Sequence, residues 1–304
     1  ILVYFIQYQL ISYKRLTEIS SDIFGQKISE GTIYNANLDV YNKLEKSENA
    51  IKEAIINEKV VNFDETGIRV NSLNYWIHVS CTKNYTFYAV DKRRSNKALE
   101  KIDILNKFKG VAIHDNYSMY FKYANCSHGL CNAHHYRELK GAYDEDSFLW
   151  LSQMADLLFR IKKAVDTSEN INSLNTKQLF EFETEYKKIL YEGSKNYPII
   201  QTIEKKRGRI KKSKSQNLLI RFIKRRDEIL LFMYNFSVPF DNNQAERDIR
   251  MPKLKQKISG CFRSSLGAQI FCRIRGYIST IKKQNLNVLQ YIYDIFSNKP
   301  FIPY

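Results

Sequence analysis

Across residues 10–57 the apolar positions recur at helical spacing, in LTEISSDIFG and then in a run carrying Ile33, Leu38, Tyr41 and Leu44, for which Ser29 or Thr32 could serve as the cap. From Lys59 the pattern shortens to β-rich runs, VVNF (60–63), NYWIHVSC (74–81) and NYTFYAV (84–90), bounded by turn residues such as Thr66-Gly67 and Lys83-Asn84. These predict three sequential antiparallel strands. Residues 94–108 read as a helix ended by Lys109-Gly110, and GVAIHD (110–115) reads as a buried strand of the parallel type. After His134 the chain is helical in pattern for roughly a hundred residues, with Trp150, Leu151, Met154, Leu157 and Leu158 as one apolar stripe. A basic linker (205–215) leads to the helix LLIRFIKRRDEILLFM. Pro239 and Asp241-Asn242 then signal the start of NQAERDIRMPKLK, which passes through SGCFRSSLGA to the helix IFCRIRGYISTIKK. The predicted class is α/β: a helical segment over residues 1–58, a mixed-sheet domain over 59–290 with a helical insertion at about 143–235, and a tail over 291–304.

Composition sharpens this picture. At 304 residues, 44% hydrophobic and 26% charged, the chain can bury a sizeable core without disulfides or structural metals. Five scattered cysteines make no disulfide framework and point to a reducing cytoplasm. The apolar start is too short to span a bilayer, and a chain that opens on Ile1 without a basic leader reads as an internal segment rather than a signal peptide. Charge is unevenly placed: residues 201–290 carry 21 Lys/Arg against 6 Asp/Glu, nearly the whole net charge of +16. Such concentration favours a polyanion, and nucleic acid is the commonest, although a solvated basic face would carry the same residues.

Two carboxylates follow apolar strands directly, Asp64 after VVNF and Asp115 after VAIH. Acids at the ends of neighbouring strands share a sheet edge, where like charges repel unless a cation lies between them. Mg²⁺ or Mn²⁺ is the economical answer, because hard ions favour carboxylate oxygen and can clamp the attacking and leaving oxygens of a phosphodiester. Glu246, on the helix NNQAERDIR, is the best-placed third carboxylate. Each acid alone could equally be an ordinary strand-end or helix-cap residue.

Together the segments VVNFDETGIRV, YWIHVSCT, FKGVAIHDNYSMYFKY, CNAHHYRELK, NNQAERDIRMPKLKQKISGCFRSSLGA and IRGYISTIKKQ resemble the transposases of the IS66 family of insertion sequences, from about residue 10 to residue 295. The resemblance implies an RNase H-like fold with a helical insertion before the glutamate. It implies a DDE triad of Asp64, Asp115 and Glu246 holding Mg²⁺ (or Mn²⁺), and DNA cleavage with strand transfer by a chain acting as a homo-oligomer on transposon ends and target. It also implies an N-terminal coiled coil and zinc-binding region that this sequence does not contain. A plain RNase H-like nuclease and a non-catalytic DNA-binding remnant are the competing expectations.

Cys131-Asn132-Ala133-His134 is similar to the C-x-x-H signature that follows the second Asp in several DDE families. Cys126, His128, Cys131, His134 and His135 invite a zinc reading, but they lack the paired spacing of structural zinc sites. Cys131 and His134 therefore read either as supports of the active site or as a core cysteine and a helix-start histidine. On the helix around Glu246, positions 243, 246, 247 and 250 share one face. Asn243 could support Glu246, and Arg247 and Arg250 could reach phosphates. Lys253, Lys255, Lys257 and Arg263, continued by Arg273, Arg275, Lys282 and Lys283, extend the expected DNA-binding surface, whereas Phe262, Phe271, Tyr277 and Trp76 fit core or sheet-face positions better than base-stacking ones.

Overall fold

The computed structural model describes residues 1–197 and 212–303, which fall into two compact units, Ile1–Ala112 with Tyr117–Ser127 and Asn243–Tyr304, and Ile113–Asn116 with His128–Asn242. Most of the basic linker expected at 205–215 lies outside the described residues. The first unit opens with a π-helical turn and continues through α1 (Tyr13–Phe24), α2 (Glu30–Lys43) and α3 (Glu45–Ile56). Ser29, one of the two candidate caps, takes that role by accepting the Thr32 N–H, and α1 stops at Gly25, which adopts the left-handed φ of 64°.

The sheet follows as β1 (Val60–Val70), β2 (Leu73–Cys81), β3 (Thr86–Asp91), then α4 (Asn96–Ile102), β4 (Val111–His114) and β5 (Ser127–Leu130). Its strand order is β3-β2-β1-β4-β5, and β1–β2 and β2–β3 pair antiparallel as the alternating pattern predicts. Composition alone ends β1 at Phe63 and places a turn at Thr66-Gly67. Instead β1 continues to Val70, and the turn falls at Asn71 and Ser72, both with positive φ, the geometry that suits a tight hairpin. Alternation sets two faces. Val61 and Phe63 pack with Leu99, Phe108 and Tyr120 on one side, while Ile68 and Val70 join Ile77, Val79, Cys81 and Tyr88 on the other.

The second unit is helical after β5: α5 (Asn132–Asp146), α6 (Leu149–Asp166), α7 (Thr176–Ser194), α8 (Lys214–Lys224) and α9 (Arg226–Tyr234). The stripe read on α6 is buried as expected, with Ile161 added. The helix expected over LLIRFIKRRDEILLFM breaks at Arg225, whose φ of −115° leaves the helical region, so that α8 and α9 can each turn an apolar face inward.

The chain re-enters the first unit as α10 (Asn243–Ser259), α11 (Ser265–Lys283) and α12 (Val288–Phe296). α10 and α11 cover the Ile68 face of the sheet through Ala245, Ala268, Phe271 and Cys272. Close approach is possible because α11 presents Gly276 to β3: a Cβ there would stand 3.0 Å from the Thr86 carbonyl oxygen. Phe262, Phe271 and Tyr277 are core residues. Among the described residues no helix is long and apolar enough to cross a membrane.

Candidate active site

Asp64 lies within β1 opposite Val79, half-buried, rather than at the strand end the sequence suggested. Strand parity puts it on the face of Thr66, Ile68 and Val70, the face covered by α10. Its Oδ1 accepts the N–H of Glu65 at 2.8 Å. Glu246 comes from that covering helix. Ala245 is fully buried in the sheet-facing core, and Glu246, the next residue, is half-buried in the first turn of α10. There the helix dipole favours a carboxylate by about 0.3–1 kcal/mol. Within the first unit, Asp64 lies on the strand face that α10 covers, and Glu246 lies in the first turn of that helix, one residue past the sheet-facing Ala245. Asn243 is the exposed first residue of α10.

Asp115 belongs to the second unit and directly follows β4, as the sequence predicts. The buried His114 ring holds this strand end: its Nδ1 meets the Asp115 carbonyl oxygen, and its Nε2 lies 3.0 Å from His128 Nδ1. Burial lowers the His114 pKa to about 3, so the ring is neutral. Its Nδ1–H then donates to the carbonyl, Nε2 accepts, and His128 must donate from Nδ1. The sequence alone gives neither histidine this role. Nothing in its strand periodicity signals it, since a histidine at a strand end fits many environments.

Cys131 joins the same framework. Its N–H donates to the His114 carbonyl at 3.0 Å, and its buried Sγ accepts the Asn242 N–H at 3.2 Å and stands 3.1 Å from His134 Nδ1. Asn132 adds a backbone bond to Phe240 and a side-chain bond to Ile229. The end of β5, the first turn of α5 and residues 240–242 are therefore stitched together immediately before the chain enters α10. Of the other residues in the suggested zinc cluster, Cys126 Sγ donates to the Tyr123 carbonyl with its pKa raised to about 11 by burial. His135 is buried between Asn132 Oδ1 and the Phe222 ring.

Two charge networks, centred on Glu65 and Asp248, lie outside the sequence-based expectations. Glu65, on the opposite face from Asp64, takes Arg94 and the Tyr120 hydroxyl, and Arg94 lies over the Tyr117 ring at 3.9 Å and the Trp76 ring at 5.3 Å. Trp76 is thus a sheet-face residue. Asp248, two residues past Glu246, accepts from Lys283 at 2.7 Å and from Thr86 at 3.2 Å, and its carbonyl accepts from Tyr88.

The basic surface divides accordingly. Arg247, Arg250, Lys253 and Lys257 are exposed along α10, and Lys253 reaches the Gly67 carbonyl at 3.0 Å. Arg263 is exposed past the end of that helix, and Lys282 is exposed on α11. Lys255 is half-buried. Three cations expected on this surface turn inward instead. Arg273 pairs with Glu48, Arg275 donates to the carbonyls of Gln7 and Tyr8, and Lys283 pairs with Asp248, because α11 is buried on most sides and long basic stems carry their heads to acceptors inside.

A search of curated proteins finds no match. The family model described as Transposase IS66 family matches residues 2–270. With that match spanning most of the chain and running through β1, β4, the Cys131 junction and the first turn of α10, the chain belongs to the IS66 family of DDE transposases.

Proposed function

We propose that this chain cleaves DNA at transposon ends with a divalent metal ion and joins the freed 3′-hydroxyl to target DNA, using Asp64, Asp115 and Glu246 as the metal-binding triad on an RNase H-like domain. Family membership carries the DNA-processing part of this reading. The observation that favours the triad is that Asp64 lies on the β1 face that α10 covers and Glu246 in the first turn of that helix, each half-buried and each directly beside an apolar core position. A meander, a helical crossover to β4, and a helical insertion between β5 and α10 support the RNase H-like assignment.

The donor set fits the metal. Three carboxylates are hard oxygen donors suited to Mg²⁺ or Mn²⁺, and they offer the negative charge such ions need. When bound, the ions would neutralise phosphate charge and lower the pKa of the attacking water or hydroxyl. The chain itself supplies the rest. Asp64, Asp115 and Glu246 hold the site; the His114–His128 pair and Cys131 position Asp115 and the entry to α10; Arg247, Arg250, Lys253 and Lys257 orient the DNA by its phosphates.

Incubating the purified chain with duplexes bearing the element's own ends, with and without Mg²⁺ or Mn²⁺, tests the reading. Metal-dependent nicking followed by joining to a second duplex is expected. Nicking without joining would leave a nuclease, and DNA binding without nicking a non-catalytic remnant.

A further inference from the structure

A cavity of about 540 Å³ lies in the first unit between the start of α1, α2, the end of α10 and the start of α11. Tyr13, Tyr34, Phe262 and Phe271 contribute aromatic surface to its lining, and Lys14, Lys255 and Arg263 contribute charge against the single carboxylate of Glu30. Lys255 is the odd cation of α10. Arg247, Arg250, Lys253 and Lys257 keep to one exposed stripe, whereas at 100° per residue Lys255 falls on the flank nearer Asp248 and Pro252, both buried. Burial lowers its pKa, and among the described residues no carboxylate lies within ion-pair reach of it. A half-buried ammonium at a cavity wall without a counter-charge is suited to an incoming anion.

Gln7 supplies an independent sign. It lines the same cavity, is 3% exposed, and donates from Nε2 to Asn37 Oδ1 at 2.6 Å. Asn37 spends its own Nδ2 on the Ile33 carbonyl at 2.7 Å, so Asn37 can only accept from Gln7, and the orientation of both amides is fixed. Gln7 Oε1 is left buried without a hydrogen-bond partner. An acceptor of this kind calls for an N–H donor, just as Lys255 calls for an anion.

We propose that this cavity takes one extrahelical nucleotide of DNA, with its phosphate at Lys255 and Arg263, its base against the aromatic wall, and an exocyclic amino group donating to Gln7 Oε1. The combination of anion, flat ring and exocyclic amino donor is that of an adenine, cytosine or guanine nucleotide, and the volume is of the size that small-molecule sites use. The exposed cations of α10 provide a phosphate track along the helix whose end lines the cavity. The proposal rests on the DNA-binding reading for the source of the nucleotide.

Two duplexes of equal length, one fully paired and one with a single unpaired 2-aminopurine, test it with the full chain. The bulged duplex should bind about tenfold more tightly, since stacking of one base on aromatic side chains supports a difference of that order, with a change in 2-aminopurine fluorescence on binding. Lys255→Met should erase the preference with the melting temperature unchanged. Cys261 gives a second readout, because it lines the cavity and is the exposed cysteine while Cys81, Cys126, Cys131 and Cys272 are buried. Free dAMP should slow its alkylation in the wild type and not in Lys255→Met. Equal affinity for both duplexes, or alkylation of Cys261 indifferent to dAMP, would overturn the proposal. If neither duplex bound, the DNA-binding reading would fail, and Cys261 protection by dAMP alone would still decide whether the cavity takes a nucleotide.

Discussion

Removing the carboxylate of Asp248 should loosen the helix that carries Glu246. Asp248 and Lys283 are 12% and 13% exposed at their side chains, and Asp248 Oδ2 accepts from Lys283 at 2.7 Å, Thr86 at 3.2 Å and Gln244 at 3.3 Å. In Asp248→Ala, Lys283 keeps the carbonyls of Thr82 and Tyr85, at 2.9 and 3.0 Å, but is deprived of the one charged group among these partners. Breaking a buried pair from one side costs about 3–5 kcal/mol. The two retained carbonyls soften that, and about 3 kcal/mol is expected. For a chain of this size each kcal/mol moves the thermal midpoint by roughly 2–4 °C, so a fall of about 6–12 °C should appear. Asp248→Ala combined with Lys283→Met removes both charges and should recover part of the loss, with a coupling energy of about 1–3 kcal/mol in the double-mutant cycle. Chemical denaturation of the four proteins measures this. Additive single effects, or a loss below about 1 kcal/mol for Asp248→Ala, would show that the pair does not hold α10 to the sheet.

Charge reversal of Arg247, Arg250, Lys253 and Lys257 should weaken binding to all DNA sequences alike and reduce the slope of log K against log salt by about 3–4, at roughly 0.9 for each phosphate that is no longer neutralised, measured by titration at several salt concentrations. His135, buried with its pKa lowered to about 3, is protonated more readily in the unfolded chain. Its contribution is therefore complete above the unfolded value near 6.5 and is lost as pH falls toward the folded one; at pH 5 it accounts for about 2 kcal/mol of lost stability, and His135→Gln should flatten the pH dependence of urea unfolding by that amount. Gly276→Ala should destabilise by about 1–2 kcal/mol, because the new Cβ meets the Thr86 carbonyl at 3.0 Å, whereas Gly141→Ala on α5, with open space around it, should stabilise by about 0.5–1 kcal/mol; thermal melts of the two variants check the contrast.

Period and parity made much of the fold readable. The three-strand meander, β4 ending just before Asp115, the α6 stripe and the start of α10 at Asn243 all follow from spacing and turn residues. Where the reading missed, a longer-range partner decided the outcome. Thr66-Gly67 reads as a turn by composition, but β2 offers Trp76 and Ile77 as partners, and the pairing carries β1 through both residues. That shift matters for the site, since it moves Asp64 from a strand end to the α10-facing side of a strand. Arg273, Arg275 and Lys283 look like surface cations because charge alone gives no direction, and their acceptors lie far away in sequence at Glu48, Gln7 and Thr82. The pairing of His114 with His128 is equally invisible to periodicity, since it joins the ends of two strands through their rings.

The central claim is that Asp64, Asp115 and Glu246 act together on a metal ion. Asp64→Asn, Asp115→Asn and Glu246→Gln each preserve size and remove one charge, so folding and phosphate binding should survive. End-DNA cleavage in Mg²⁺, measured beside DNA affinity for each variant, tests the claim most directly. Each substitution should lower cleavage on the order of a thousandfold or more, with affinity unchanged within about a factor of three. Near-normal cleavage by any one variant would remove that residue from the triad and contradict the account.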